Sequence, residues 1–411
     1  MTEQQEQALQ LATDAGHILL ENGAEIRRVE STMKHIASAY GIDDESFFVL
    51  SNGIIATGQH YARAEFIPIK GTQLARVVDV NQLSRDVNPE CPMPLDVLAA
   101  RLHAIRTRHG KPWWENVTGI AVGVAAFCII FGGSLPDALA TFVCGLMLGA
   151  FMTFVGPHLS RIFGNLLGGI AGGTLCIAAA RLFPDVLHLP NMVIGTIIAL
   201  VPGVPFTGGL RDLADEDYIA GATRLLDAFL AFLCIALGVM TALVVDGYAY
   251  GGLLELDSPT IDSVTSAWYI QLAAALLGTV GFSVLFGAPR RYYLSCGLTG
   301  MIGWGVFLLA STHLTVTVSA GAGALAVAAT SILLAGLRRC PVTVFLVCGI
   351  IPLVPGGGIF WTAYHLVTNH LRLAATTGFT ALKVAVAIAG GIIVATAVYN
   401  MLRRPTPRRA A

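Results

Sequence analysis

The chain has 411 residues, of which 55% are hydrophobic and only 12% charged, with a mean hydropathy of +0.69. That charge content is about half the usual share for soluble domains, which excludes a soluble enzyme and any disordered or fibrous class. The formal net charge of −1 supplies no field for nucleic acid.

Charge is spread unevenly. Residues 1–116 carry 15 acidic and 11 basic side chains, whereas the 295 residues that follow carry 11 and 14. A polar part therefore precedes a membrane part long enough for about ten spans. The start, MTEQQEQALQ, has neither a basic n-region nor an apolar h-region, so no signal peptide is expected and the polar part should lie in the cytoplasm.

Within the polar part, Ala8, Leu11, Ala15, Ile18 and Leu19 follow a helical spacing up to Gly23. Val29, Met33, Ile36, Ala37 and Tyr40 repeat it up to Gly41. The period then changes. Phe47 to Leu50, Ile54 to Thr57 and Phe66 to Ile69 read as short strands, with Asn52-Gly53 turning between the first two. Helices return over 72–86 and 94–108, the latter opened by Pro94 and closed by Gly110. The expectation is a small α+β cytoplasmic domain over 1–112. It holds no nucleophile elbow, phosphate loop or metal spacing, so no catalytic residue, cofactor or metal is expected. The charge-dense run Glu21-Asn22-Gly23-Ala24-Glu25 with Arg27, Arg28 and Glu30 reads first as a solvated helix junction, and second as a contact with the membrane part.

Trp113-Trp114 marks an interface, as an aromatic belt does. Ten apolar segments follow, near 117–133, 137–155, 162–182, 191–210, 221–245, 267–287, 292–311, 315–337, 342–361 and 376–401. The first five make one transmembrane half over 113–250. The second five, with a basic tail, make the other over 251–411. Cys128, Cys144, Cys176, Cys234, Cys296, Cys340 and Cys348 lie in or beside apolar runs without a CxxC pair, which reads as buried thiols. With the N-terminus inside, the cytoplasmic connections and tail hold Arg161, Arg211, Arg290, Arg291, Arg338, Arg339, Arg403, Arg404, Arg408 and Arg409. The external connections hold Arg181 and Arg372, and the long one at 246–266 is acidic. An even span count with both termini cytoplasmic satisfies this bias.

An internal repeat carries the functional reading. Leu200-Val201-Pro202-Gly203 in segment four recurs as Leu353-Val354-Pro355-Gly356 in segment nine. Each is the fourth span of a five-span half, and an odd number of spans forces the halves into opposite orientations. That is an inverted-topology repeat, a plan of secondary transporters. Proline removes a donor and glycine frees the backbone, so both spans should break near mid-membrane. Broken helices are tolerated in lipid where they line a cavity. The candidate translocation site therefore comprises Pro202, Gly203, Pro205 and Thr207 at the first break, and Pro355, Gly356, Gly357 and Gly358 at the second. Nearby polar candidates are Asn165, Arg211, Asp212, Arg224, Asp227, Trp361, Tyr364 and Lys383. Arg224 and Asp227 share a helix face, either as a structural pair or as functional charges. Lys383, with no carboxylate at helical spacing, is the foremost candidate to meet a substrate anion. A channel, or a membrane-anchored hydrolase, stands as the rival class.

The chain also resembles the threonine/serine exporter family over almost its whole length. The polar part carries Ala15-Gly16-His17-Ile18-Leu19-Leu20, Gly23-Ala24-Glu25 and Arg28-Val29-Glu30. The membrane part carries Val201-Pro202-Gly203-Val204-Pro205, Leu210-Arg211-Asp212-Leu213, Asp217-Tyr218-Ile219-Ala220-Gly221 and Leu353-Val354-Pro355-Gly356-Gly357. Gly208-Gly209 departs from the pattern, where an Asn is expected before Leu210. The resemblance implies gradient-driven export of small metabolites across the cytoplasmic membrane, with H+ as coupling ion. Relatives divided into two subunits are similar to exporters of dicarboxylates such as succinate. The implied substrate is a small neutral amino acid or a small dicarboxylate. Homo-oligomerisation stays open.

Overall fold

The computed structural model describes residues 2–43, 46–58, 61–67, 71–88, 90–214, 217–250 and 267–403, without the side chains at 204, 207, 210, 211, 214 and 403. The polar part opens with α1 (Glu3–Glu21) and α2 (Ile26–Ala39). Thr2 caps α1 through a reciprocal pair of bonds with Gln5. Gly23 at φ +83° and Gly41 at φ +74° end the two helices in the left-handed region that glycine tolerates. Strands β1 (Ser46–Leu50), β2 (Gly53–Gly58) and β3 (Tyr61–Phe66) form an antiparallel meander, with Val49 opposite Ile54 and Ala56 opposite Arg63. The third strand thus lies at 61–66 rather than the expected 66–69. Its residues alternate between half-buried and exposed, so its weak apolar pattern hid it, and Ile67 beyond it enters the core. Helices α3 (Leu74–Asp86) and α4 (Leu95–Thr107) complete this part. Its core holds Leu9, Ile18, Leu19, Val29, Met33, Ile36 and Ile54.

The rest is helical: α5 (Trp113–Ile130), α6 (Leu135–Phe154), α7 (Arg161–Leu182), α8 (Leu189–Ile197), α9 (Gly203–Ala214), α10 (Tyr218–Tyr250), α11 (Trp268–Leu285), α12 (Tyr293–Ser311), α13 (Val316–Arg338), α14 (Val342–Gly349), α15 (Gly356–Val367) and α16 (Leu371–Arg403). Eight of these, α5, α6, α7, α10, α11, α12, α13 and α16, are long and apolar enough to cross a membrane. Val342–Leu353 and Gly356–Val367, bent by 51° where they meet, are together as long and apolar, as a broken span or a re-entrant loop. The chain is a polytopic helical membrane protein. The segment expected over 191–210 consists of the short helices α8 and α9, parted by residues 198–202.

Tight helix pairs recur along the chain. A β-carbon built on Gly238 of α10 would collide with the Leu166 carbonyl oxygen of α7. One built on Gly391 of α16 would collide with that of Gly321 of α13. Only glycine allows backbones so close, the contact that small residues provide between membrane helices. The starts of α8, α9 and α10 recur 153 residues later as α14, α15 and α16 (189 and 342, 203 and 356, 218 and 371).

The polar part docks on one end of the bundle. Leu74 and Ala75, at the start of α3, donate backbone N–H bonds of 2.9 Å each to the carbonyls of Phe286 and Gly287 after α11. The positive end of one helix thereby meets the negative end of another. Arg85 reaches the Arg339 carbonyl at 3.3 Å, and Thr223 reaches Ser51 at 2.8 Å. The connections before α10, α12 and α14 therefore all lie on the side of the polar part.

Candidate functional site

The two breaks share one turn geometry. After Val201 the chain reaches Pro202, which has no N–H, and Gly203 N donates to the Val201 carbonyl at 2.8 Å. After Val354 it reaches Pro355, and Gly356 N donates to the Val354 carbonyl at 2.7 Å. Each is a γ-turn centred on proline, with Pro355 at φ −75° and ψ 38°. The breaks also pack on each other. A β-carbon built on Gly203 would stand 2.7 Å from Val354 Cγ1, and one on Gly356 would stand 2.7 Å from Val201 Cγ1. Each glycine receives the valine of the other break.

Against this crossing lies a cavity of about 570 Å³. Its inner end is formed by Val201, Pro202, Gly203, Pro205, Ile351 and Val354. Its polar groups are Asn116 of α5, Thr153 of α6, and Arg161 and Asn165 of α7. Gly71, Thr72 and Gln73 of the polar part line it as well. A smaller recess of about 120 Å³ shares Thr72, Arg161 and Pro205 with it, and adds Gly23, Glu25, Asp212, Arg224 and Asp227.

The charges pair between helices. Arg161 Nη1 donates to Asp227 Oδ2 at 3.1 Å, and Arg224 Nη1 donates to Asp212 Oδ2 at 2.6 Å. The anticipated Arg224–Asp227 pair is replaced by these two. The reason is that α10 packs against both α9 and α7, so from one face of α10 Arg224 meets Asp212 of α9 and Asp227 meets Arg161 of α7. The Arg224–Asp212 pair is largely enclosed, whereas Arg161 and Asp227 are half-exposed toward the cavities.

Of the residues expected at the site, Asn165, Pro202, Gly203 and Pro205 line the larger cavity, and Asp212, Arg224 and Asp227 the smaller. The side chains of Thr207 and Arg211 lie outside the described residues. Pro355, Gly356, Gly357 and Gly358 line neither cavity. Gly356 and Gly357 face Val201 and Ile194, and Gly358 faces Ala381, so they serve close packing. Trp361 and Tyr364 are buried with His365 in an aromatic cluster against Met192 and Ile194. Trp361 Nε1 and His365 Nδ1 are buried with no hydrogen-bond partner among the described residues. Lys383 is exposed on the outside of α16 and lines neither cavity. The buried stripe of that helix is Ala381, Val384, Ala385 and Ile388, which turns position 383 outward with Phe379, Leu382 and Val386.

Sequence reasoning missed Arg161 as a site residue and counted it only as an inside charge. The available signal was Ser160, whose Oγ accepts from Phe163 N at 3.4 Å and caps α7, so that Arg161 and Asn165 stand one turn apart on a single face. The run at 21–30 is solvated only in part, at Gly23 and Arg27. Glu21 and Asn22 are buried, and Gly23 and Glu25 line the smaller recess.

A family model described as a threonine/serine exporter matches residues 10–245, and a second, "Threonine/Serine exporter, ThrE", matches residues 271–398. The chain is 22% identical over 412 residues to the "Threonine/serine exporter" of Corynebacterium glutamicum, covering 97% of this chain and 83% of that protein. It is 24% identical to the "Probable threonine/serine exporter" of Mycobacterium tuberculosis, over 96% and 77%. It is 23% identical to the "Probable succinate transporter subunit YjjP" of Escherichia coli, over 60% of this chain and 97% of that protein. No solved structure matches.

Proposed function

From the membership of this chain in the threonine/serine exporter family, a family of transporters and not of enzymes, we propose a proton-coupled secondary exporter of threonine- and serine-type amino acids that works by alternating access. The α8–α9 pair counts as the fourth crossing and the α14–α15 pair as the ninth, which brings the total to ten. Helices recurring at an offset of 153 residues, the paired glycine contacts and the reciprocal breaks support two five-span halves of opposite orientation. The arginine bias supports cytoplasmic termini, with the cavity open toward the cytoplasm and residues 1–112 beside it.

The carrying observation is the Arg161–Asp227 pair in the cavity wall. A zwitterion complements an ion pair. Its carboxylate takes the place of Asp227 at Arg161, and its ammonium takes the place of Arg161 at Asp227. No charge is left without a partner. Asn165, one turn on, is placed for a side-chain hydroxyl. A dicarboxylate would satisfy Arg161 but set its second charge against Asp227. Asp227 also supplies the coupling: it holds the substrate ammonium on the way out and a proton on the way back.

The test is competition for labelled threonine efflux from vesicles. Serine is expected to compete and succinate not to. Asp227→Asn is expected to lose uphill export. Equal competition by succinate would move the reading to the dicarboxylate class. Uphill export by the Asp227→Asn protein at matched expression would remove Asp227 from the coupling step.

A further inference from the structure

A second cleft, of about 490 Å³, lies outside the translocation path. It is bounded by α3, by the linker from α4 to α5, and by the turn between α11 and α12. Arg76, Arg108, His109, Lys111, Arg290 and Arg291 line it together with Asp79, and Glu115 stands behind Arg290. Basic groups are scarce in this chain, with 25 Lys and Arg in 411 residues. Five of them converge here.

Internal pairing accounts for only part of this charge. Arg108 bonds to Asp79, and Arg290 Nε to Glu115 Oε2 at 3.1 Å. Arg76 bonds to the neutral carbonyl of Arg108 at 3.0 Å and to Asn22 Oδ1 at 3.5 Å. Lys111 Nζ bonds to the Val284 carbonyl at 3.1 Å and stands 4.5 Å from the Tyr293 ring centroid. Arg291 lies over the ring of Tyr292, 4.8 Å from its centroid. Three cations are therefore held by neutral acceptors or ring faces. Such contacts orient a cation without neutralising it, and leave it able to take an anion.

The depth of the cleft fixes the kind of anion. Its linker runs directly into Trp113 and Trp114, which are 58% and 53% exposed at the start of the first span. Paired tryptophans at a span end sit at headgroup level. Arg290 and Arg291 begin a second span beside them. A basic pocket between span ends at that level is built for a lipid phosphate.

We propose that this cleft binds the phosphate of an anionic phospholipid, and that the bound headgroup clamps α3 onto the turn between α11 and α12. The clamp has a route to the transport cavity. The backbone bonds from Leu74 and Ala75 to Phe286 and Gly287 form one wall of the junction, and the preceding residue, Gln73, lines the larger cavity. Gly287, at φ +64°, leaves room for Gln73, whose Oε1 a β-carbon there would meet. A headgroup bridging Arg76 and Arg291 holds the 71–73 segment over the cavity mouth. This inference rests on the cleft alone and stands whichever metabolite is exported.

The experiment uses the full-length protein in phosphatidylcholine nanodiscs with and without phosphatidylglycerol, read by bound lipid after native release and by thermal stability. Phosphatidylglycerol is expected to be retained and to stabilise. Each of Arg76→Gln and Arg291→Gln should weaken retention about fivefold, the usual worth of one basic side chain at an anionic surface. Arg291→Lys, which keeps the charge, should restore most of it and guards against a folding defect. Glycerol 3-phosphate in detergent separates the sources. Stabilisation by it equal to that of the lipid would assign the site to a soluble phosphate compound and overturn the lipid. Equal retention of phosphatidylglycerol by wild type and by both glutamine variants would overturn the site altogether.

Discussion

At the scale of single residues, one lysine carries a testable sign. Lys111 lies just ahead of the first span, where burial lowers its pKa from the ordinary lysine value to about 8, against the partial opposition of Glu115. The groups facing it are Glu115, Arg290, Tyr293, Cys296 and Cys348, with the Val284 carbonyl as its bonded acceptor. In the unfolded chain the amine keeps its proton up to ~10.5. The unfolded state therefore binds more protons between pH 8 and ~10.5, and without lipid the stability should rise with pH across that window. Phosphate binding runs the other way. It favours the charged amine, so anionic lipid should be held more weakly as the pH climbs through 8. Retention of phosphatidylglycerol measured at about pH 7 and about pH 9 should fall several-fold for wild type and stay flat for Lys111→Met. A wild-type protein with no pH dependence would mean that Lys111 does not face the headgroup.

At the scale of elements, the two breaks act as one joint. Gly203 and Gly356 each accommodate the valine of the opposite break, and Gly203 also lines the larger cavity. Even a methyl at either glycine should therefore wedge the joint. Gly203→Ala is expected to reduce transport at least tenfold with insertion unchanged, since displacing tightly packed atoms typically costs ~1–3 kcal/mol. Val354→Ala removes the methyl that would collide, so the double variant should recover much of the loss, and Gly356→Ala with Val201→Ala should behave alike. A double variant no better than the single one would separate the breaks energetically. These elements were legible in the sequence because Pro and Gly act through the backbone, and their pattern at 200–203 and 353–356 needs no partner to be read. The partners of side chains were not legible. Arg224 and Asp227 look like a pair in one dimension, yet α10 packs against both α9 and α7, which supply Asp212 and Arg161 as their partners instead. Lys383 stood out by its lone charge, but helical phase, set by Ala381, Val384 and Ile388, turns it outward.

At the scale of the whole molecule, the alternating access proposed above requires two arrangements, and the structure describes one. The larger cavity reaches from the crossing of the breaks to residues 71–73, so it opens on the side of the polar part. On the opposite side of the crossing, Phe360, Trp361, Ala363, Tyr364 and His365 of α15 are packed shut. Trp361 Nε1 and His365 Nδ1 lie in that packed cluster with no hydrogen-bond partner among the described residues. Thiol accessibility reads both sides. Cys91 of the polar part is exposed, whereas the other described cysteines are buried or half-buried. With Cys91 replaced by serine, Asn165→Cys should react with a membrane-impermeant maleimide only from the side of the polar part, and threonine should protect it. Ala363→Cys, 4% exposed here, should be silent from the far side at rest. It should become reactive there when substrate is loaded on the side of the polar part. Cys91 in the parent chain reports which side that is, and it is expected to label only after cells are permeabilised. If Ala363→Cys stays silent while transport proceeds, the outward path does not run along α15, and alternating access about these two breaks fails.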